Sequence, residues 1–457
     1  MTTYILLVYI FILLLFSLFI TNNDFMFPAT VVFIVYAFSV SLAIIEMKKW
    51  DVYISTETLS IFCAGLMVYL IVGIITRGLA KPFRIKKERQ YINGNCHEVI
   101  EVSSFITVIV ILLNIYVVVE MFKAVRTTAL VAGAFSSVGE MIGNSRNAVV
   151  YGETSLKLTS TVRYLYHFQY ATSYIYLYIE MLRIAKKKKE KVLIVISHWL
   201  PIILFFLTTF IRGERMACLE IVTAGIFLFY YFFREQHGGN VKGFQGKFAV
   251  RVAGIVIIVL IAFSQIRGFV GRTNTYDLVD YIAQYAGAPI KLFDMFIQNP
   301  PTKNTSIWGA ETFVNVWKYI GHKTGDATLN GLIMNKEFRS VNGFGLGNVY
   351  TAFREYMNDF GFIGLLILTT IHSFFFTYYY TCIKKVNRPS FTSRIDFSAL
   401  LYAFLVPSLF FFSIDDRLFQ AYLDIEKVKI VIWMYVVSKV VVCLTKENGR
   451  WIIKLHN

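Results

Sequence analysis

The sequence is short of charged residues. Only 16% of its 457 residues are Asp, Glu, Lys or Arg, whereas 56% are hydrophobic and the mean hydropathy is +0.57. A soluble domain of this length has about a quarter of its residues charged. The shortage excludes a soluble globular protein and predicts an all-α polytopic integral membrane protein.

Acidic residues are scarcer than basic ones. The chain has 29 Asp and Glu against 45 Lys and Arg, which gives a formal net charge of +16. A strongly basic protein can bind nucleic acid. Here, however, the basic residues cluster in short loops between apolar runs, which is the positive-inside pattern of membrane proteins. We therefore expect the lipid bilayer as a partner and no nucleic acid.

Cysteine is also rare. Of the five cysteines, three lie in apolar runs and two lie in basic segments: Cys63, Cys218 and Cys443, then Cys96 and Cys382. No pair has the C-x-x-C spacing of a zinc site. We expect no disulfide framework, no bound metal and no cofactor.

Eleven apolar runs are long enough to cross a bilayer. They are 3–20, 28–46, 57–76, 102–122, 160–182, 192–211, 216–233, 250–266, 360–381, 395–413 and 427–444. The first run has neither a basic n-region nor a cleavage pattern, so it is interpreted as a retained helix.

Basic segments follow the third, fifth, seventh, ninth and eleventh runs. Placing them in the cytoplasm puts the N-terminus outside and the C-terminus inside; Lys48 and Lys49 then lie outside, which is a mild conflict. Three parts are predicted: residues 1–266 with eight spans, 267–359 with a long helical outside loop and an interfacial helix, and 360–457 with three spans and a tail.

The most informative stretch runs from Asn342 to Phe376. Its glycine-rich start allows positive φ angles and follows no predicted strand. The next residues predict a short amphipathic helix, followed by an apolar run. Its apolar stripe is Val349, Phe353, Tyr356 and Phe360, and its polar stripe is Thr351, Glu355 and Asp359. We expect a polar helix docked at the membrane surface.

A tight hairpin between two predicted spans contains Arg212, Gly213, Glu214 and Arg215. An arginine fork suits phosphate oxygens, so these residues could bind a lipid-linked pyrophosphate. Two alternatives stay open, namely snorkelling to lipid headgroups and an Arg–Glu ion pair.

Three residues of the outside loop and the docked helix are candidate catalytic bases. His322 is the only histidine in a predicted outside loop and could take a proton from a sugar hydroxyl. Glu311 and Asp359 are the alternatives. For each of the three, a solvated or capping role is the competing interpretation.

Four stretches, taken in order, resemble one family. They are Arg212-Gly213; Asp280-Tyr281-Ile282 with Ala288-Pro289-Ile290 and Phe293; Trp308-Gly309-Ala310-Glu311-Thr312-Phe313; and Asn348-Val349-Tyr350-Thr351-Ala352-Phe353-Arg354 with Asp359-Phe360-Gly361 and Gly364. Together they resemble the Wzy-type O-antigen and oligosaccharide repeat-unit polymerases.

The resemblance implies a GT-C-like architecture in the bacterial inner membrane. It implies metal-independent transfer of a growing glycan from undecaprenyl pyrophosphate to another lipid-linked repeat unit at the periplasmic face, alongside a flippase and a chain-length regulator. The candidate substrate-binding residues are Arg212, Arg215, Arg354, Arg339, Trp308 and Tyr350. The opening motif of the last stretch favours a polymerase over an O-antigen ligase of the same superfamily. The long aromatic loop and the odd span count speak against a flippase or other transporter, which generally has repeated spans and short loops.

The topology prediction can be tested with single cysteines at Ser306 and Lys188. We expect Ser306→Cys, in the outside loop, to react with an impermeant thiol reagent added to cells with a leaky outer membrane. Lys188→Cys, in a cytoplasmic segment, should not react. The reverse labelling pattern would overturn the outside placement of the long loop.

Overall fold

The structure is a computed structural model. It describes residues 1–80, 100–151, 155–236, 278–302, 306–332, 335–384 and 395–441, together with some residues between 246 and 261 and the strands Leu444–Glu447 and Arg450–Ile453. Within these residues, seven helices are long and apolar enough to cross a membrane. The chain is therefore a largely helical multi-pass membrane protein. The predicted span 250–266 lies mostly outside the described residues, as do the predicted basic segments at 81–89 and 385–394.

The helices, in chain order, are α1 (Thr2–Thr21), α2 (Pro28–Ile45), α3 (Met47–Trp50), α4 (Thr56–Leu79), α5 (Ser104–Ala132), α6 (Val138–Tyr151), α7 (Ser160–Ala185), α8 (Val192–Ile211), α9 (Met216–Gln236), α10 (Leu278–Ala286), α11 (Ala288–Gln298), α12 (Val314–Thr324), α13 (Ala327–Asn330), α14 (Phe353–Lys384), α15 (Phe397–Leu405), α16 (Pro407–Phe410) and α17 (Ile425–Val441). A π-helical turn spans Arg417–Tyr422. The strands are β1 (Arg339–Val341), β2 (Phe344–Gly347), β3 (Leu444–Glu447) and β4 (Arg450–Ile453), which form two antiparallel hairpins.

The chain divides into two compact units. Unit 1 comprises 1–85, 276–387 and 405–428, and unit 2 comprises 86–275, 388–404 and 429–457. Both are assembled from segments that are far apart in the sequence.

Hydrogen bonds define the two ends of unit 1. At one end, Thr3 Oγ1 donates to the Val52 carbonyl at 2.8 Å, and Lys49 pairs with Asp280 at 2.6 Å. At the other end, Arg77 Nη1 donates to the Ile20 carbonyl at 2.6 Å. The predicted outside loop and Lys49 therefore lie at the same end of the unit, where Asp280 neutralises the lysine that the charge rule disfavours.

An aromatic core holds the start of α14 in unit 1. The ring of Phe353 lies 5.9 Å from Tyr36, 6.0 Å from Phe62 and 5.6 Å from Phe412, all centroid to centroid. Gly65 of α4 makes room for it, because a Cβ there would lie 2.6 Å from the Phe353 ring. Close packing at Gly65 therefore fixes where α14 begins.

The predicted docked helix and the following span form one element in the structure. The chain from Asn348 to Ala352 is not helical, and α14 starts only at Phe353. A kink at Gly361 (φ 66°, ψ −166°) separates its first turns from the membrane-crossing part. Since side chains strongly disfavour this conformation, glycine is required at the kink.

The prediction that the glycine-rich turn follows no strand is wrong. Arg339–Val341 pairs with Phe344–Gly347, so Gly345 and Gly347 lie within a small antiparallel hairpin, and Gly343 occupies its turn at φ 79°. The three-residue strand was too short to give an alternating pattern. Gln284 of α10 donates to the Gly345 carbonyl at 2.6 Å and ties the hairpin to the loop helices.

Unit 2 is organised around the tyrosine-rich helix α7. Tyr170 and Tyr174 stack at 5.7 Å, and the Tyr170 hydroxyl donates to Glu220 of α9. Near its C-terminal end, Glu180 pairs with Arg183 at 2.5 Å and with His198 at 2.9 Å. The predicted span 160–182 is thus a helix, and several of its polar groups are paired inside the unit.

The last two predicted spans are shorter than expected. The run 395–413 is broken into α15 and α16, because Pro407 begins a new turn after Val406. The run 427–444 forms a helix of 17 residues, Ile425–Val441. The described residues therefore do not establish the predicted count of eleven spans.

Two glycines provide a matched test of packing around the kink. A Cβ on Gly364 would lie 1.9 Å from the Phe360 Cβ, whereas one on Gly78 would meet nothing within 4 Å. We expect Gly364→Ala to destabilise the protein by about 1–3 kcal/mol through overpacking. Gly78→Ala should be neutral or stabilise by up to about 1 kcal/mol through helix propensity. Thermal unfolding in detergent measures both changes, and equal effects would contradict the geometry of the kink.

Candidate functional site

The first turn of α14 contains a buried guanidinium. Arg354 is 1% exposed, and its guanidinium carbon Cζ lies 4.6 Å from the centre of the Phe296 ring. Its Nη1 donates to Glu311 Oε2, and its Nη2 donates to Glu337 Oε2 at 3.0 Å. Arg354, expected on a helix docked at the membrane surface, is buried instead, because the loop segments that carry Glu311 and Glu337 cover this turn.

Glu337 is the carboxylate that the sequence analysis missed. Besides Arg354, it accepts hydrogen bonds from Tyr350 Oη at 3.0 Å and Arg339 Nη2 at 3.1 Å. Burial alone would raise the pKa of Glu337, but the positive charge of Arg354 and the hydrogen-bond donors lower it below its usual range. Glu337 is thus held as an anion. The one sequence signal was the alternation of charge in Lys336-Glu337-Phe338-Arg339.

Glu311 is the second partner of Arg354 and has a different environment. Burial raises the pKa of its carboxyl to about 7, against the opposing pull of Arg354, and the negative charges of Glu355 and Asp359 add to the rise. Glu337 binds the same guanidinium, and its negative charge offsets part of the attraction that Arg354 exerts on Glu311. A quarter of the Glu311 side chain, 26%, is exposed. The two carboxylates on one guanidinium therefore have pKa values displaced in opposite directions.

A second ion pair lies beside the first. Lys336 Nζ donates to Glu355 Oε1, and the side chains are 9% and 0% exposed. Burial would lower the pKa of Lys336, but attraction to Glu355 and Asp415 raises it overall. Arg354, Glu311, Glu337, Lys336 and Glu355 are called the Arg354 cluster below.

Asp359 positions the turn that carries Glu311. Its Oδ2 accepts the backbone N–H groups of Glu311 at 3.1 Å and of Thr312 at 2.7 Å. Gly309 opens this turn at φ 65°, where a Cβ would lie 2.6 Å from Phe313 and 2.9 Å from Phe360. Asp359, a predicted catalytic base, thus joins α14 to the loop through two hydrogen bonds.

An exposed aromatic surface adjoins the same turn. Trp308 is 67% exposed, and its ring packs at 4.8 Å on Phe360 and at 5.7 Å on Phe313. Its carbonyl accepts the Trp317 indole N–H at 2.9 Å. The indole is therefore fixed in place while one face remains open, and such a surface can stack on a sugar ring.

Three other predicted site residues of the loop have different positions. His322 is exposed in the last turn of α12 and is not part of the Arg354 cluster. Arg339 donates to the carbonyls of Met295 at 2.6 Å and Asn299 at 2.7 Å, so it caps α11 as well as contacting Glu337. Tyr350 is fully buried, and its hydroxyl donates a hydrogen bond to Glu337.

The predicted arginine hairpin belongs to unit 2. Arg212 Nη2 pairs with Glu214 at 2.7 Å, and its guanidinium lies 4.6 Å from the centre of the Tyr166 ring. Gly213 takes the left-handed conformation with φ 71° between them. Arg215 is buried at the start of α9. The Arg–Glu ion pair considered from the sequence is present.

Buried acidic groups continue beyond the cluster in unit 1. Asp416 is fully buried, accepts the Tyr356 hydroxyl at 3.1 Å and caps the π-helical turn through Phe419 N at 3.3 Å. Burial, reinforced by the charge of Glu355, holds the pKa of Asp416 well above its usual range. Within the described residues, no group of His, Cys, Asp and Glu has the geometry to hold a metal ion.

The Lys336–Glu355 pair can be tested by a double-mutant cycle. Lys336→Met alone leaves Glu355 without its cation, so we expect a loss of about 3–5 kcal/mol of stability. Adding Glu355→Gln should recover most of that loss, since no buried charge remains unpaired. Lys123→Met, which removes an exposed pair with Glu120, should cost at most about 1 kcal/mol. Additive effects of the two cluster substitutions, measured by detergent-phase unfolding, would argue against the pair.

Comparison with known proteins yields no relative. No protein-family model matches the sequence, and no curated protein and no solved structure is significantly similar to it. The resemblance to the repeat-unit polymerases therefore stays a prediction, and any function must be argued from the Arg354 cluster and the segments that build it.

Proposed function

We propose that the protein is a membrane glycosyltransferase of the repeat-unit polymerase type. It would transfer a growing glycan from undecaprenyl pyrophosphate to another lipid-linked repeat unit, on the outer face of the bacterial inner membrane. A flippase would supply the units, and a chain-length regulator would act on the same product.

The observation that carries the proposal is the meeting of two stretches that resemble the family. Glu311, in the Trp308–Phe313 stretch, is bonded to Arg354, which ends the Asn348–Arg354 stretch. Asp359 binds two backbone amides of the first stretch. Residues that are some forty positions apart are therefore assembled into one site.

The charges of this site suit the reaction. The leaving group is a pyrophosphate, so the enzyme needs fixed positive charge for the departing anion rather than a nucleotide or a nucleophile. Arg354 and Lys336 are two cations held in place by carboxylates, of which Glu355 is fully buried and Glu311 and Glu337 are about a quarter exposed. A substrate phosphate that reached the guanidinium would exchange one charged partner for another, which avoids stripping a buried cation of its counter-ion.

The aromatic surface at Trp308 gives the site a place for the glycan. It is exposed, fixed by two neighbouring rings and only three residues from Glu311. Sugar rings present apolar C–H faces that pack on indole. The long aromatic loop that carries Trp308 speaks against a transporter of lipid-linked units, which generally has short loops.

The substitution Arg354→Lys tests the function at the site. Lysine keeps the charge but loses the fork that joins Glu311 and Glu337. One charge-assisted contact is worth roughly 1.5–3 kcal/mol, or about ten- to a hundredfold in rate if it acts in the transition state. We expect membrane levels near normal but polymer sharply shortened, with single-unit-capped lipid as the main surface product. Arg212→Lys should have the same effect if its hairpin binds phosphate.

Arg183→Lys is the matched control, because Arg183 is paired with buried Glu180 outside the site. It should leave the chain length normal. A deletion strain separates the alternative functions: outside-facing single units support a polymerase, unligated long polymer indicates a ligase, and inside-facing units indicate a flippase. Normal polymer from Arg354→Lys at normal expression would refute the proposed role of the cluster.

A further inference from the structure

The geometry points to a division of labour between the two carboxylates bound to Arg354. Resting on the proposed glycosyl transfer, we propose that Glu311 takes the proton of the acceptor hydroxyl and that Glu337 stays ionised and holds Arg354 in position. Glu311 would be a catalytic residue and Glu337 a positioning residue.

The hydrogen-bond partners of the two carboxylates differ. Glu337 accepts from three side chains, Arg354, Arg339 and Tyr350. Among the described contacts, the Glu311 carboxylate has one side-chain donor, Arg354. Each donor favours the charged form of a carboxylate. Glu337 is therefore built to remain an anion, whereas Glu311 can gain a proton with the loss of a single bond.

The charges around Glu311 are of both signs. From α14 it faces Arg354, Glu355 and Asp359, and from the segment before β1 it faces Lys336, with Glu337 across the shared guanidinium. These groups are two cations and, with Glu337 counted, three anions, so their charges do not offset the effect of burial. Burial then dominates, which agrees with a pKa of about 7 for Glu311. A base of this strength is suited to a neutral compartment.

The other two candidate bases are less well placed. Asp359 uses Oδ2 to bind two backbone amides, so protonating it would release the turn that carries Glu311. His322 lies exposed on α12. Glu311 and Glu337 are both about a quarter exposed, at 26% and 27%, so the number of hydrogen-bond donors and not exposure distinguishes them.

The shared guanidinium explains why two carboxylates are present. When Glu311 becomes neutral, Arg354 would otherwise be a buried cation without a counter-ion, which is strongly unfavourable. Glu337 remains bonded to Nη2 and prevents this. The cluster can therefore hold a transferred proton without disrupting the buried start of α14.

The transfer step balances with these groups alone. The acceptor hydroxyl oxygen forms a bond to the anomeric carbon of the growing glycan, and the bond from that carbon to the pyrophosphate oxygen breaks. The bonding electrons leave with the lipid pyrophosphate. The hydroxyl proton passes to Glu311 Oε and is later released to water.

The test is the pH dependence of chain extension by the purified full-length enzyme acting on lipid-linked units. The wild-type rate should rise about tenfold per pH unit below pH 7 and level off above it, since only ionised Glu311 can accept the proton. Glu311→Gln should lower the plateau by about 10²- to 10⁴-fold and abolish the rising limb. Glu311→Asp should restore part of the rate together with the limb.

Glu337→Gln gives a prediction of specific sign. The substitution removes the negative charge of Glu337, so Arg354 is paired with Glu311 alone and lowers the pKa of Glu311. The midpoint of the rising limb should therefore move to lower pH. A purely structural role for Glu337 would reduce the rate and leave the midpoint in place. Glu57→Gln, exposed at the start of α4, is the control and should leave both rate and midpoint unchanged.

The outcomes separate the inference from the proposed function. An unchanged rising limb in Glu311→Gln would overturn the assignment of the base, while the wild-type activity would still support the polymerase. An unshifted midpoint in Glu337→Gln would overturn the role of Glu337. Wild-type enzyme that extends no chain at any pH would instead refute the proposed function.

Discussion

The buried guanidinium of Arg354 constrains how the long loop packs on the helices of unit 1. Arg354 lies where the chain passes from the long loop into the helix α14, and it is 1% exposed. Leaving such a charge without counter-ions costs several kcal/mol. Both of its carboxylates come from the loop, so the loop cannot lift away from α14 without exposing or stranding the guanidinium. The ion pairs thereby attach a long polar segment to the helices beneath it.

The same segment is fixed a second time through its backbone. Asp359 binds the amides of Glu311 and Thr312, and the glycine turn at Gly309 lets Phe313 and Phe360 come together under Trp308. Asp359 lies two residues before the kink at Gly361, and the membrane-crossing part of α14 follows the kink. Asp359 therefore fixes the position of Glu311 and, together with Arg354, Glu355 and Lys336, also acts on its charge.

The sequence predicted several membrane helices well because lipid imposes a simple rule of length and apolarity. The predicted runs 28–46 and 57–76 match α2 and α4 closely. Glu311, Asp359 and Arg354, named as candidate site residues, lie together in the structure, and their roles stay predictions. It failed on burial. The polar stripe with Glu355 was expected to face water, but it is covered by Lys336 and the loop, and periodicity within one helix cannot reveal a partner from elsewhere in the chain. Glu337 was missed for the same reason, since its significance depends on Arg354, Arg339 and Tyr350 meeting in space.

The distribution of unit 1 along the sequence has a consequence for biosynthesis. The hydroxyl of Tyr69 in α4 hydrogen-bonds to His372 in α14, 303 residues later. At about 5–20 residues per second, a ribosome needs roughly 15–60 s to make the intervening chain. During that interval α1, α2 and α4 lack α14, and the space beside Gly65 that receives Phe353 has no ring to fill it. Assembly of this unit is therefore completed late, only after α14 has been made.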